Sequence, residues 1–171
     1  MAENVILAHN VKVLPYDVCP NELSIVKSIN DHARVRVVAV VPEGEKDKYV
    51  NMTKTHTNIE IINEGDSGAK NLFKGIVTDI EVKAVRGVYY VTIEGVSTTF
   101  DLDLKIKRRS FQNKDMTYTS LIKEVIKDYF GADFIDVAAN SKKIDKVIIQ
   151  YDETDWQFLI RLASHFNTGL I

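Results

Sequence analysis

Short runs in which apolar and polar residues alternate fill the first hundred positions, and a period of two is the signature of half-buried strands. Residues 5–7 and 11–14 are brief apolar runs, and 22–29 and 33–41 are longer ones. In Ala33-Arg34-Val35-Arg36-Val37-Val38-Ala39-Val40-Val41, residues Val35, Val37, Ala39 and Val41 share one face, with Arg34 and Arg36 on the other. Asn30-Asp31-His32 has turn chemistry, so the two runs predict a hairpin. Pro42 and Gly44 end the second strand, and polar residues 45–54 predict a short surface helix. Ile59, Ile61 and Ile62 predict a strand over 58–63, followed by a loop at Glu64-Gly65-Asp66-Ser67-Gly68. Residues 72–84 and 87–96 predict a second hairpin, turning at Val85-Arg86-Gly87. Ile76, Thr78, Ile80, Val82 and Ala84 are expected on one face of it, with Tyr89, Val91 and Ile93 on the partner strand. Hairpin-linked strands with one dry face predict a barrel or sandwich, not an open parallel sheet.

The pattern changes after about Gln112. Thr117 is placed to cap a helix whose Leu121, Ile122, Val125, Ile126 and Tyr129 form an apolar stripe, and Gly131 to end it. Val147-Ile148-Ile149-Gln150-Tyr151 predicts a strand. Thr154 followed by Gln157 has the spacing of a capping box. Trp156, Leu159, Leu162, Ala163 and Phe166 then recur at helical spacing, and Gly169 stands where a left-handed helix-terminating residue is expected. The expected organisation is a β-rich domain over residues 1–112 and a small α/β segment over 113–171. The stripe from Trp156 to Phe166 is expected to be covered partly by the 121–129 helix and otherwise by another chain.

Composition narrows the picture only a little. The chain has 171 residues, 45% hydrophobic and 27% charged, enough for one domain or one with an appendage. A net charge of −2 gives no overall field toward nucleic acid or anionic membrane. The single cysteine, Cys19, provides no internal disulfide framework. Met1-Ala2-Glu3-Asn4 lacks the basic start of a secretory leader, and no apolar run approaches the ~20 residues of a membrane span. Synthesis in the cytoplasm is the expectation.

Candidate chemistry is sparse. His9, His32, His56 and His165 are scattered, with no second ligand at metal-binding spacing. Asp152, Glu153 and Asp155 are acidic neighbours, and Asp155 in a first helical turn complements the helix dipole. Asp101 and Asp103 alternate with Leu102 and Leu104, as on a solvated strand face or turn. There is no glycine-rich phosphate loop, nucleophile elbow or Cys–His pairing, so no catalytic, cofactor-binding or metal-binding residue is assigned, and no cofactor. Lys105-Ile106-Lys107-Arg108-Arg109, followed by Phe111, is the one basic run. It fits a solvated or subunit-facing loop, or a nucleic-acid patch. Tyr89, Tyr90, Phe100 and Phe111 fit a core, or a stacking platform.

Three segments, in order, resemble the baseplate-hub and spike family that includes VgrG of type VI secretion and the phage late control gene D protein. Leu72-Phe73-Lys74-Gly75-Ile76-Val77-Thr78 is similar to the family's F-x-G-x-V hairpin, through Phe73 and Gly75. Arg109-Ser110-Phe111-Gln112 before the 121–129 helix is similar to its R-x-F-Q element, through Arg109, Phe111 and Gln112. The segment from Gln150 to Leu162 is similar to its Q-Y-x-E-S-D-x-x-F-x-x-R-L, through Gln150, Tyr151, Glu153, Asp155, Phe158, Arg161 and Leu162. Order and spacing agree over residues 70–171, whereas the first 65 residues match only in strand content. Where family members usually read Glu-Glu-Gly after Arg-Leu, this chain has Ala163-Ser164-His165-Phe166, a variant closer to phage-like hubs of Gram-positive bacteria.

The resemblance implies a non-enzymatic structural component of a contractile tail or injection system, a hub joining the tail tube to the spike. It implies a tail-tube-like β-barrel followed by a small α/β part, truncated here at Ile171. It implies a homotrimer in the full-length hub, with tail tube protein and spike or baseplate proteins as partners, assembled into a phage-like tail or secretion particle. A tail-associated cell-wall hydrolase is one alternative, and a nucleic-acid-binding β-barrel using Lys105 to Arg109 is another.

Overall fold

The computed structural model describes residues 10–65 and 68–171, so the run at 5–7, His9, and Asp66 and Ser67 of the expected loop lie outside the described residues. The chain forms two compact units, one of residues up to Lys27 with His32–Thr98, the other of Ser28–Asp31 with Thr99–Ile171.

The first unit is a six-stranded sheet with every pairing antiparallel. Its strands are β1 (Val11–Leu14), β2 (Glu22–Val26), β3 (Arg34–Val41), β4 (Asn58–Gly65), β5 (Gly68–Val85) and β6 (Val88–Ser97), in the order β1-β4-β5-β6-β3-β2. A short helix, α1 (Lys46–Met52), follows β3 and buries Tyr49. The alternation in β3 is as the pattern predicts: Val35, Val37, Ala39 and Val41 are buried and Arg34 and Arg36 exposed. The β5–β6 hairpin turns on Arg86 and Gly87, both with positive φ (50° and 81°), between the paired Val85 and Val88. Two left-handed residues in a two-residue loop match the twist of the flanking strands.

Two expectations are corrected here. The face assigned to β5 holds only along its second half. A bulge sets Thr78 between Val77, opposite Gly95, and Asp79, opposite Glu94. The extra residue flips the inward parity. Phe73 is buried and Val77 packs against the core before the bulge; Ile80 and Val82 do so after it, while Thr78 is exposed.

The second correction concerns closure. Among the described residues β1 and β2 end the sheet with no ladder between them, so no closed barrel forms. Yet side chains of all six strands, from Val11 and Val13 of β1 to Leu23 and Ile25 of β2, gather in one core. A dry face read from alternation is satisfied by curling a sheet around its own side chains. Closure additionally needs backbone hydrogen bonds joining the two edge strands. The fold is mainly β, of α+β type.

In the second unit, β7 (Ile106–Phe111) pairs antiparallel with β8 (Ile148–Thr154), and two helices, α2 (Tyr118–Ile126) and α3 (Asp155–Ser164), complete the core. Residues expected in a loop at 105–109 are thus largely strand. The Thr98–Asp103 turn is a 3₁₀ helix that buries Leu102. Thr117 caps α2 by accepting from the Ser120 amide at 3.1 Å. The stripe of α3 is covered within the unit itself: Trp156, Leu159 and Leu162 lie in one cluster with Leu121, Val125 and Ile126 of α2 and with Phe111, Ile144 and Ile148. This corrects the expectation that a second chain was needed. The strand pair supplies the missing cover, which is why Phe158, off the stripe, is fully buried too. The left-handed residue after α3 is Asn167 (φ 51°), not Gly169. Gly169 is small for another reason: a Cβ there would lie 2.5 Å from the Ile29 side chain and 2.6 Å from Asn30 Oδ1.

Candidate functional site

The junction of β8 and α3 concentrates the motif residues of the second unit. Thr154 ends the strand and caps the helix. Its hydroxyl accepts from the Gln157 amide at 3.1 Å, and the Gln157 side chain accepts from the Thr154 amide at 3.1 Å. This reciprocal box satisfies two amide donors that a helix start otherwise leaves without partners. The Thr154 hydroxyl also donates to Asp103.

Asp155, the first residue of α3, has no exposed side-chain surface. One carboxylate oxygen accepts from the Arg109 guanidinium and from Gln150 Nε2 at 2.9 Å. The other accepts from Lys107 Nζ at 2.7 Å and from the Tyr129 hydroxyl at 2.6 Å. Gln150, itself buried, accepts from Arg109 Nε at 2.7 Å and donates to the Glu153 carbonyl at 3.1 Å. A buried charge is tolerated when it is paired and its lone pairs are filled, and here four donors converge on one carboxylate. The start of α3 adds its positive dipole end.

Burial by itself drives the Asp155 carboxyl up. The hydrogen bonds from Lys107, Tyr129 and Gln150, with the Arg109 charge, outweigh it and hold the group below the usual carboxylate range. Burial likewise pulls Lys107 down, but Asp155 and Tyr129 reverse this and raise it. Tyr129 is pushed up, first by burial and then by its bond to the carboxylate. Asp155 therefore stays ionised and every one of its oxygens is engaged, an arrangement that fixes geometry and leaves no lone pair for proton transfer.

The register makes this possible. Lys107 lies opposite Glu153 and Arg109 opposite Gln150, so β8 carries one extra residue across from Arg108. Asp152 in this bulge has φ 51° and accepts from Arg108 Nε at 2.6 Å. The three neighbouring acids thus face three different ways. Asp152 meets Arg108, Glu153 meets Arg161, and Asp155 meets Arg109 and Lys107. Arg161 also donates to the Ile149 carbonyl at 2.7 Å and lies 5.0 Å from the Phe158 ring centroid. Phe158 stacks on Phe111 at 5.7 Å, with the ring planes 10° apart.

The motif residues of β7, β8 and α3 therefore meet around one junction: Arg109, Phe111, Gln150, Glu153, Asp155, Phe158, Arg161 and the buried Leu162. Tyr151 stays outward, under the Arg108 guanidinium at 5.2 Å. Gln112 is exposed and donates to Ser110 Oγ at 3.1 Å. Phe73 and Gly75 belong to the other unit. There a Cβ on Gly75 would lie 2.1 Å from the Val96 carbonyl and 2.7 Å from the Phe73 ring, so the F-x-G spacing lets an aromatic ring lie over bare backbone.

Sequence reasoning missed Lys107 and Tyr129 as Asp155 partners. Lys107 shares a strand face with Arg109, a signal that was legible. Tyr129 followed the apolar stripe of a helix, which conceals its hydroxyl. With Lys107, Arg108 and Arg109 all paired to carboxylates, the basic run offers little to a phosphate backbone. Among the described residues no group of three or more His, Cys, Asp or Glu side chains is arranged to hold a metal. His165 Nδ1 lies 2.9 Å from the Tyr118 hydroxyl; burial, and then Lys146, Arg161 and Lys142, lower its pKa. Two open surface depressions run along Leu23, Ile25, Lys27 and Leu72 and along residues 53–56 and 76–80. No helix among the described residues is long and apolar enough to cross a membrane.

Comparison with known proteins places these features in context. The model of the phage tail baseplate hub (GPD) family matches residues 28–166. Among solved structures, a tail protein from Neisseria meningitidis MC58 superposes with a TM-score of 0.64 at 16% identity, over 91% of this chain and 44% of that one. The 43 kDa tail protein of prophage MuSo2 from Shewanella oneidensis gives 0.59 at 19% identity, over 84% and 45%. An E. coli component of the type VI secretion system, described as structurally similar to the T4 bacteriophage tail proteins gp27 and gp5, gives 0.51 at 8% identity, over 88% and 41%. The chain thus spans less than half the length of each. No curated protein matches.

Proposed function

The chain belongs to the phage tail baseplate hub family, and from that premise we propose that it is a structural part of a hub joining a tail tube to spike or baseplate proteins. The observation that carries this reading is the family match over residues 28–166, which takes in the whole Asp155 junction and four of the six sheet strands, β3 to β6, together with both helices of the second unit. A joint between two assemblies needs rigid, internally satisfied elements. The curled sheet around one core and the saturated carboxylate at the β8–α3 junction have that character.

The finer reading is a homotrimer. Each subunit would offer its sheet domain, in tube-like form, to a hexameric tail tube, with a second such domain per subunit completing a ring of six. This role requires no reaction, and the residues around Asp155 are assigned to scaffolding. The protein would be made in the cytoplasm and incorporated into the particle. Co-expression with a tail tube protein, followed by sizing and electron microscopy, tests the proposal. Rings of threefold symmetry stacked on tube ends are the expected result. A chain that never associates with tube or baseplate proteins, or that clears cell-wall substrate in a zymogram, overturns it.

A further inference from the structure

The two mouths of the curled sheet are finished differently. At one, α1 lies over the strand ends. Its Tyr49 is buried in the core, and Lys46 Nζ lies 5.4 Å from the Tyr89 ring centroid. The Tyr16 hydroxyl, 2.7 Å from Thr53 Oγ1, fastens the end of this helix to the same core. At the other mouth the strands stop unevenly. Val26, Arg34, Val96 and Ile76 share one level of the register, and β2, β3 and β6 reach at most one residue past it. There β5 runs on with β4, from Lys74 back to Gly68, and among the described residues has no strand on its other side.

Leu72 lies in this overhang as the extra residue of a bulge, between Asn71, opposite Ile62, and Phe73, opposite Ile61. With Leu23, Ile25 and Lys27 it lines an open depression. Leu23 and Ile25 pair with the buried Val37 and Val35, so they belong to the inward face and pack against the core. They are nevertheless only half buried, as is Leu72. Inward side chains left half exposed beside the unpaired edge of β2 mark cover that the described strands do not supply. Sheets ordinarily screen such an edge with another segment of chain.

The chain enters β1 through this same mouth. Val11 pairs with Asn63, and Asn63 with Lys70, in the overhang past the end of β6. The nine residues outside the description at this end hold one apolar run, Val5-Ile6-Leu7. In the sheet order β1 and β5 are two ladder spacings apart, about 10 Å. The four residues from Leu7 to Val11 span up to about 13 Å, so the run reaches the level of Leu72 without strain. A segment tethered this closely also outcompetes a free one of equal intrinsic affinity.

We infer that Val5-Ile6-Leu7 docks in the Leu23–Ile25–Leu72 depression of its own chain, finishing the second mouth with side chains as α1 finishes the first. The contact requires no ladder between β1 and β2. It keeps an apolar depression beside a free strand edge from recruiting a foreign strand, and it stands whether or not the chain serves in a hub.

Disulfide trapping in the full chain tests this, with Cys19→Ser removing the one native thiol. Ile6→Cys combined with Leu72→Cys should close into a monomeric disulfide under mild oxidation. Closure should be roughly tenfold faster or more than for Ile6→Cys with Val40→Cys, whose second site is on the outward face of β3. Equal rates overturn the inference, and so does a cross-link that forms only between two chains, which would assign the depression to a second copy. Denaturant unfolding gives an answer free of cysteine. Ile6→Asp should lower the midpoint and Ile6→Leu should leave it near that of wild type. An aspartate variant as stable as wild type overturns the inference even where the paired-cysteine chains fold poorly.

Discussion

The Tyr129 hydroxyl donates to the Asp155 carboxylate at 2.6 Å across 26 positions of sequence, tying the end of one helical segment to the start of another helix. The bond closes a set of four donors around a buried charge, so its parts are expected to fail together. Asp155→Ala should cost about 3–5 kcal/mol, since it leaves Lys107, Arg109 and Gln150 facing an empty site. Tyr129→Phe should cost about 1–3 kcal/mol. Urea unfolding of both single variants and the double one checks this, with a coupling energy of about 0.5–3 kcal/mol expected. Strict additivity would show that the bond contributes nothing of its own.

The same site predicts an acid limb of stability. The folded pKa of Asp155 lies below its unfolded value of about 3.9, so the ionised form is the one that folding favours. Its contribution is complete above about pH 5 and declines as pH falls through the unfolded and then the folded value. Asp155→Asn removes that titration. The stability difference between wild type and this variant should therefore be largest near neutrality and shrink toward pH 3, as measured by denaturant midpoints across pH. A difference that stays constant over that window would contradict the ionised assignment.

At Gly75 the prediction concerns space, not charge. An added methyl group meets the Val96 carbonyl and the Phe73 ring, and the carbonyl cannot move without disturbing the β5–β6 ladder. Gly75→Ala should lower stability by about 1–3 kcal/mol or more, with Phe73→Leu in the same background recovering part of the loss. Thermal melts of the three proteins decide it; a neutral Gly75→Ala would mean that the sheet relaxes at no cost.

Thr154→Ala removes the acceptor for the Gln157 amide and should cost about 1 kcal/mol, whereas Thr154→Ser should cost little. Equilibrium unfolding of both variants distinguishes a cap from simple packing, for which serine would be no better than alanine.

Much of this structure was legible from the chain. Periodicity located β1, β3, the β5–β6 hairpin and the two helices of the second unit, polar composition pointed to α1, and Thr154 with Gln157 announced its own capping box. What escaped were features that depend on register. Thr78 and Asp152 each add one residue to a ladder, and a bulge carries no periodic signal. Tyr129 was legible as an apolar ring but not as a donor, because its acceptor lies in another helix. The second cover of α3 was invisible for a similar reason: one helix stripe says nothing about a strand pair packed on the opposite side.

The sequence by itself determined most of the elements, the dry face of β3 and the two threonine helix caps, because these follow from residues within about one turn or one hairpin of each other. Only the tertiary structure decided that the sheet ends in two unjoined strands among the described residues, that three neighbouring acids share no cation, and that Asp155 is buried and ionised at once. Those outcomes depend on which distant groups arrive at the same place, and a buried charge keeps its ionised form only when the donors that fill its lone pairs have all been brought there by the fold.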